Sequence, residues 1–132
     1  MGRTVLLRHE LPDGSAHYDW MIQREGPERP GLITFRVSER IDAAGVGEFV
    51  AQRLPDHREA YLEYEGSVSG GRGRVCRVAE GLVRLATDSD QEVVCSGNLG
   101  DAAGRFEGRR AADGWRFRFA KGRPVFPSRS AR

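Results

Sequence analysis

The chain has 132 residues, room for one domain with one core and little more. Hydrophobic residues at 39% and charged residues at 30% are the balance of an ordinary soluble domain, which sets aside a disordered chain and a helical membrane bundle. A net charge of +2 permits a polyanionic partner without demanding one, yet Lys121 is the only lysine among the cations. The rest are arginines, whose planar fork suits phosphate.

The N-terminal run Val5-Leu6-Leu7 is too short for a secretion signal. Cys76 and Cys95 do not make a disulfide framework, so a reducing cytoplasm, with no membrane, is the expected setting.

In chain order, Val5 to His9 reads as a first strand and His17 to Gln23 as a second, joined through the turn signature Pro12-Asp13-Gly14. A second turn spans Gly26 to Gly31, and Leu32 to Val37 is a third strand. Asp42 as N-cap, with Val46, Phe49, Val50 and Arg53 at roughly helical spacing, predicts a helix over 42–52, weakened by Gly45 and Gly47. Further β-like runs are Ala60 to Tyr64, Arg74 to Val78, Val83 to Ala86, Glu92 to Cys95, Gly104 to Arg109 and Trp115 to Phe119. The last alternates strictly, with aromatics on one face and arginines on the other, and Ala112-Asp113-Gly114 is a hairpin turn before it. Many short strands punctuated by 17 glycines predict a mostly β fold. The expectation is a small closed or nearly closed antiparallel β-barrel over 1–126 with at most one or two short helices, followed by a frayed tail at 127–132.

The chain has three histidines, His9, His17 and His57. His17 and Asp19 are two apart, so on a strand they share a face, and a hairpin would bring His9 onto it. Two imidazoles and a carboxylate on one face make a divalent-metal site with open positions. From spacing alone, surface or core histidines remain the competing reading, because a one-residue slip in register turns His9 away. Tyr61, Glu63 and Glu65 share a face if that segment is a regular strand. The cluster Gly70-Gly71-Arg72-Gly73 is either a cradle of backbone N–H groups for an anion or a tight hairpin.

These segments together resemble the phosphoesterase domain of bacterial DNA ligase D. The motif residues are His9; the triplet His17-Tyr18-Asp19 followed by Trp20; Asp56-His57 with Tyr61; Tyr64-Glu65-Gly66; and the glycine-rich turn before Val75. Leu99, Gly104-Arg105-Phe106 and Trp115-Arg116-Phe117 resemble the closing strands of that domain.

The resemblance implies a β-barrel, here standing alone, that binds manganese, with zinc or cobalt as alternatives. It implies removal of 3′-phosphates or 3′-ribonucleotides from DNA ends, with DNA or RNA-tailed DNA 3′ ends, and ligase or repair proteins, as partners. By motif match, His9, His17 and Asp19 are the metal ligands, and His57 and Tyr61 contact the scissile phosphate. Arg53, Arg72 and Arg36 are the arginines available to hold it, with Arg24 a further substitute. Glu65 is either a carboxylate that orients a metal ligand or a surface residue.

Three departures stand out. Met21 occupies the position where the family has an arginine, the loop between the first two histidines is longer, and the glycine-rich turn is shorter. Met21 favours a second expectation, a binding module for nucleic-acid ends or repair complexes that has lost turnover. A third is a small β domain with incidental histidines.

Overall fold

The computed structural model describes residues 1–122 apart from Pro27 and Ala44. The expected tail at 127–132, and the last residues of the expected domain, lie outside the described residues. Nine strands and one 3-10 turn make up the described part: β1 (Gly2–Glu10), β2 (Ala16–Gln23), β3 (Leu32–Val37), β4 (Glu48–His57), the turn Glu59–Leu62, β5 (Gly66–Ser67), β6 (Arg74–Asp88), β7 (Glu92–Leu99), β8 (Ala102–Ala111) and β9 (Gly114–Lys121). No helix among the described residues is long and apolar enough to cross a membrane.

Every pairing is antiparallel, and the order runs β1-β2-β3-β4-β9-β8-β7-β6, with β6 returning to β1. The result is a nearly closed ring of eight strands, as expected from the sequence, with the short β5 outside it beside β6. The 15-residue β6 makes closure possible. Its first part pairs with β1 from Arg74 to Val83, and its last part pairs with β7 from Val83 to Asp88. A register shift interrupts each pairing, opposite Leu6/Leu7 and at Leu85/Thr87. Such bulges sharpen the bend and twist of a strand, which is what closing a sheet requires. The separate runs predicted over Arg74–Val78 and Val83–Ala86 are therefore one continuous strand.

Alternation fills the interior. Leu6, Trp20, Ile22, Ile33, Phe35, Val37, Phe49, Phe106, Trp115 and Phe117 all face inward. Trp20 is the hub: its ring lies 6.0 Å from Phe35, 5.0 Å from Phe106 and 5.2 Å from Phe117, centroid to centroid. Its indole N–H donates to the Thr4 hydroxyl at 2.9 Å, and that hydroxyl donates to the Met21 carbonyl at 2.8 Å. Both polar groups are buried, and the relay satisfies them.

Strands β1, β2 and β3 are also buried on their outer face. Val5, Leu7, Met21, Leu32 and Val75 form a second apolar cluster there, covered by Leu62 and flanked by Tyr61 and Val68. The cover is the segment from Arg58 to Val68. Arg77 donates to the Leu62 carbonyl at 3.1 Å, and Arg3 reaches Glu63 at 2.5 Å, so the 3-10 turn is fastened to β1 and β6.

Two expectations are corrected here. The helix predicted over 42–52 does not form. Gly45 takes φ +91°, residues 48–52 enter β4, and Phe49 and Ala51 alternate with exposed Val50 and Gln52 at the strand period. Asp42 is not a cap; its carboxylate receives two N–H bonds from Arg40, at 2.8 and 2.7 Å. The strand predicted over Ala60–Tyr64 is a 3-10 turn, with Tyr61 N–H donating to the Arg58 carbonyl at 3.0 Å, so Tyr61, Glu63 and Glu65 do not line one strand face.

Candidate metal centre

The hairpin β1–β2 pairs His9 directly with His17, and Leu7 with Asp19. Because side chains alternate, His9, His17 and Asp19 all project outward, while Tyr18 and Trp20 serve the interior. Arg36 pairs with Asp19 from β3 and lies on the same face. The Pro12-Asp13-Gly14 loop therefore preserves the register that the metal reading required.

The ligand-type atoms of His9, His17 and Asp19 all lie within 4.8 Å of one another. His9 Nδ1 is 3.2 Å from His17 Nε2 and 3.7 Å from an Asp19 oxygen, and His17 Nε2 is 3.5 Å from the other oxygen. The rings meet edge to face, 4.8 Å apart at 76°. Asp19 is 6% exposed, and its Oδ1 accepts no hydrogen bond among the described residues. Arg36 Nε stands 3.7 Å from that oxygen, too far for a normal hydrogen bond, and is itself without a hydrogen-bond partner there. A buried carboxylate facing two ring nitrogens, with one oxygen lacking a donor at bonding distance, is a donor set that could hold a divalent ion.

The tautomers follow from neighbouring carbonyls. His9 Nε2 is 2.6 Å from the Arg72 carbonyl, which can only accept, so Nε2 carries the proton. In the neutral ring Nδ1 then keeps its lone pair toward His17 and Asp19. Burial pushes the His17 imidazole below its ordinary pKa; the Asp19 carboxylate opposes this, while Arg36 and His9 reinforce it. A histidine so placed is neutral at pH 7, the form a metal takes.

A cavity of about 230 Å³ opens beside the cluster, lined by His9, Asp19, Met21, Arg36, Leu54, Pro55, His57, Tyr61, Val68, Arg72 and Val75. His57 reaches it because β4 is irregular between the pairs Thr34–Leu54 and Leu32–His57. Pro55, which has no N–H to offer a ladder, sits in that irregular stretch. The Pro55 carbonyl accepts His57 Nδ1–H at 2.9 Å, leaving Nε2 as the free nitrogen. Tyr61, on the 3-10 turn, stands 5.7 Å from the His57 ring.

The expected arginines divide. Arg36 and Arg72 line the cavity, although Arg72 is partly engaged within its own turn through Ser69 at 2.7 and 3.1 Å. Arg53 does not join them. Alternation in β4 turns it inward with Phe49 and Ala51, where its guanidinium lies 5.2 Å from the Phe35 ring and 5.7 Å from Trp115. Arg24 is a buried cross-link, donating to Asp88 and to Asp56 at 2.6 Å each. Glu65 is exposed and accepts the Arg77 backbone N–H at 2.8 Å. Gly70 to Gly73 form the tight hairpin rather than a free cradle: β5 pairs with β6, and Val68 N–H donates to the Gly73 carbonyl at 2.7 Å.

Two contributors were not legible beforehand, the carbonyls of Arg72 and Pro55 that orient His9 and His57. Backbone groups leave no residue-type signal; only the adjoining Gly73 and Pro55 mark unusual backbone. Compared with protein-family models and with curated proteins, the chain matches none.

Proposed function

We propose that this protein is a metal-dependent phosphoesterase that removes a 3′-phosphate or 3′-ribonucleotide from nucleic-acid ends. The observation that carries the reading is the convergence of His9, His17 and Asp19 within 4.8 Å, with His9 and Asp19 lining a cavity that also holds His57, Tyr61, Arg36 and Arg72. The donor set fits a divalent ion: two imidazoles, one of them oriented by the Arg72 carbonyl, and one carboxylate leave coordination positions open. Manganese is the favoured ion, with zinc and cobalt served by the same donors. A divalent ion held there would polarise a phosphoryl oxygen and offset the charge that develops in transfer.

The chain's own residues account for the remainder. Arg36 and Arg72 supply positive charge for the nonbridging oxygens. The Tyr61 hydroxyl is a donor of matching chemistry. His57, with Nδ1 held by the Pro55 carbonyl, offers Nε2 as the proton-carrying atom. As an imidazolium it gives that proton to the 3′-oxygen as the P–O bond breaks, while water bonds to phosphorus and its protons leave on the released phosphate. A cavity of about 230 Å³ lies below the roughly 300–1,000 Å³ of pockets that enclose a drug-sized ligand, which suits a terminal phosphate with part of its sugar better than a whole nucleotide.

A second reading, a binding module for ends, is favoured by Met21. It lines the cavity, yet is 1% exposed and packed with Val5, Leu7 and Leu32, so it offers no charge to a phosphate. Kinetics on a 3′-phosphorylated primer separates the two. Under the enzyme reading, wild type releases phosphate with manganese, and His57→Ala slows release by about 10²- to 10⁴-fold without changing metal affinity. End binding without release in any divalent metal selects the module.

A further inference from the structure

A second concavity adjoins the first. It has a volume of about 210 Å³ and is lined by Arg58, Ala60, Tyr61, Tyr64, Ser67, Val68 and Ser69. Tyr61 and Val68 belong to both cavities, so the two are separated by no more than shared side chains. We propose that this groove seats the nucleobase of the terminal nucleotide whose 3′-phosphate occupies the metal-side cavity. The proposal rests on the phosphoesterase reading and extends it from a phosphate site to a nucleotide site.

Three observations carry it. Tyr64 is one of few large apolar side chains left exposed among the described residues, at 40%, although the outer cluster beside it is covered. Its ring stands 5.9 Å from Tyr61 at 86°, so the two tyrosines form a corner with one face and one edge available to a planar ring. The Tyr64 ring is also held in place: its hydroxyl donates to the Ser67 carbonyl, and its backbone N–H donates to the Ala60 carbonyl at 3.0 Å.

A fixed, exposed aromatic at the mouth of an anionic-ligand site is what a base-stacking contact needs, because little side-chain freedom is lost on binding. Stacking is indifferent to base identity, since every base has a π-face. Ser67 and Ser69 add hydroxyls at the groove wall, and Arg58 adds positive charge at its rim for the adjoining backbone phosphate. The partition of chemistry is then simple: Arg36, Arg72 and the metal ligands take the phosphate, and the tyrosine corner takes the base.

The test is equilibrium binding, by calorimetry in EDTA, of a nucleoside 3′-monophosphate and of ribose 3-phosphate, to wild type, Tyr64→Ala and Tyr64→Phe. Wild type should bind the nucleotide more tightly than the base-free sugar phosphate by about tenfold or more, in line with stacking on one aromatic. Tyr64→Ala should bring the ratio close to one, and Tyr64→Phe, which keeps the ring, should retain it. The Tyr64→Phe result guards against a merely unfolded turn in Tyr64→Ala. Equal binding of the two ligands by wild type, or a ratio unchanged in Tyr64→Ala, overturns the proposal. Manganese-dependent phosphate release, measured separately, tells the two readings apart. Release without a base preference removes the subsite and leaves the enzyme. A base preference without release keeps the subsite and removes the enzyme.

Discussion

His9 Nε2 lies 2.6 Å from the carbonyl oxygen of Arg72, although 63 residues separate the two in sequence. This bond fixes the tautomer of one candidate ligand from a hairpin that carries no ligand itself. The hairpin keeps its position through Gly73, which takes φ +95° and packs so closely on β1 that a Cβ there would run into the Glu10 carbonyl. Gly73→Ala should therefore displace the Arg72 carbonyl and weaken manganese binding by about 10- to 100-fold, the usual cost of losing the group that orients a ligating histidine. Isothermal titration of the variant checks this, with circular dichroism confirming the fold. Wild-type affinity in a folded Gly73→Ala would show that the carbonyl does not matter.

Proton competition should act through His17. Its folded pKa is lowered by burial from 6.5, so below that value the unfolded chain takes up protons that the folded chain resists. The stability contributed by neutral His17 is thus present above pH 6.5 and lost as pH falls through the depressed folded value. Metal affinity should follow the same direction, level near neutrality and falling in acid, because imidazolium cannot ligate. Manganese titrations across that range check the sign; tighter binding in acid would refute it.

The Thr4–Trp20 relay makes a stability prediction independent of function. Thr4→Val keeps the shape but removes the acceptor for the buried indole N–H. The loss should be about 1–3 kcal/mol in urea unfolding, the penalty of an unsatisfied buried donor. A variant as stable as wild type would mean that the indole finds another partner.

The two cysteines should behave oppositely. Cys76 is exposed, whereas Cys95 is buried and its thiol is pushed up to about 12 by desolvation. A thiol reagent near neutral pH should label one site in the native protein and both after denaturation. Rapid native labelling of Cys95 would contradict its placement in the core.

Much of this was legible because the chemistry sits on strands. The period-2 rule puts His17 and Asp19 on one strand face, which leaves Tyr18 and Trp20 for the opposite, inward one. What was hidden lies where periodicity stops. Arg53 is among the arginines the resemblance leaves available for the phosphate, but the same alternation turns it inward, and only the irregularity around Pro55 brings His57 outward. The segment Glu59–Leu62 offered an apolar spacing that fits strand and turn equally. A signal was available for its role: Val5-Leu6-Leu7 and Trp20-Met21-Ile22 are continuous apolar runs, which implies burial on both faces and hence a cover over the outer one.

The most direct test of the central claim is release of phosphate from a labelled 3′-phosphorylated primer–template, with and without manganese, by wild type and His17→Ala. The account predicts manganese-dependent release by wild type and its loss in a folded His17→Ala. Metal-independent release, or full activity in His17→Ala, would contradict it.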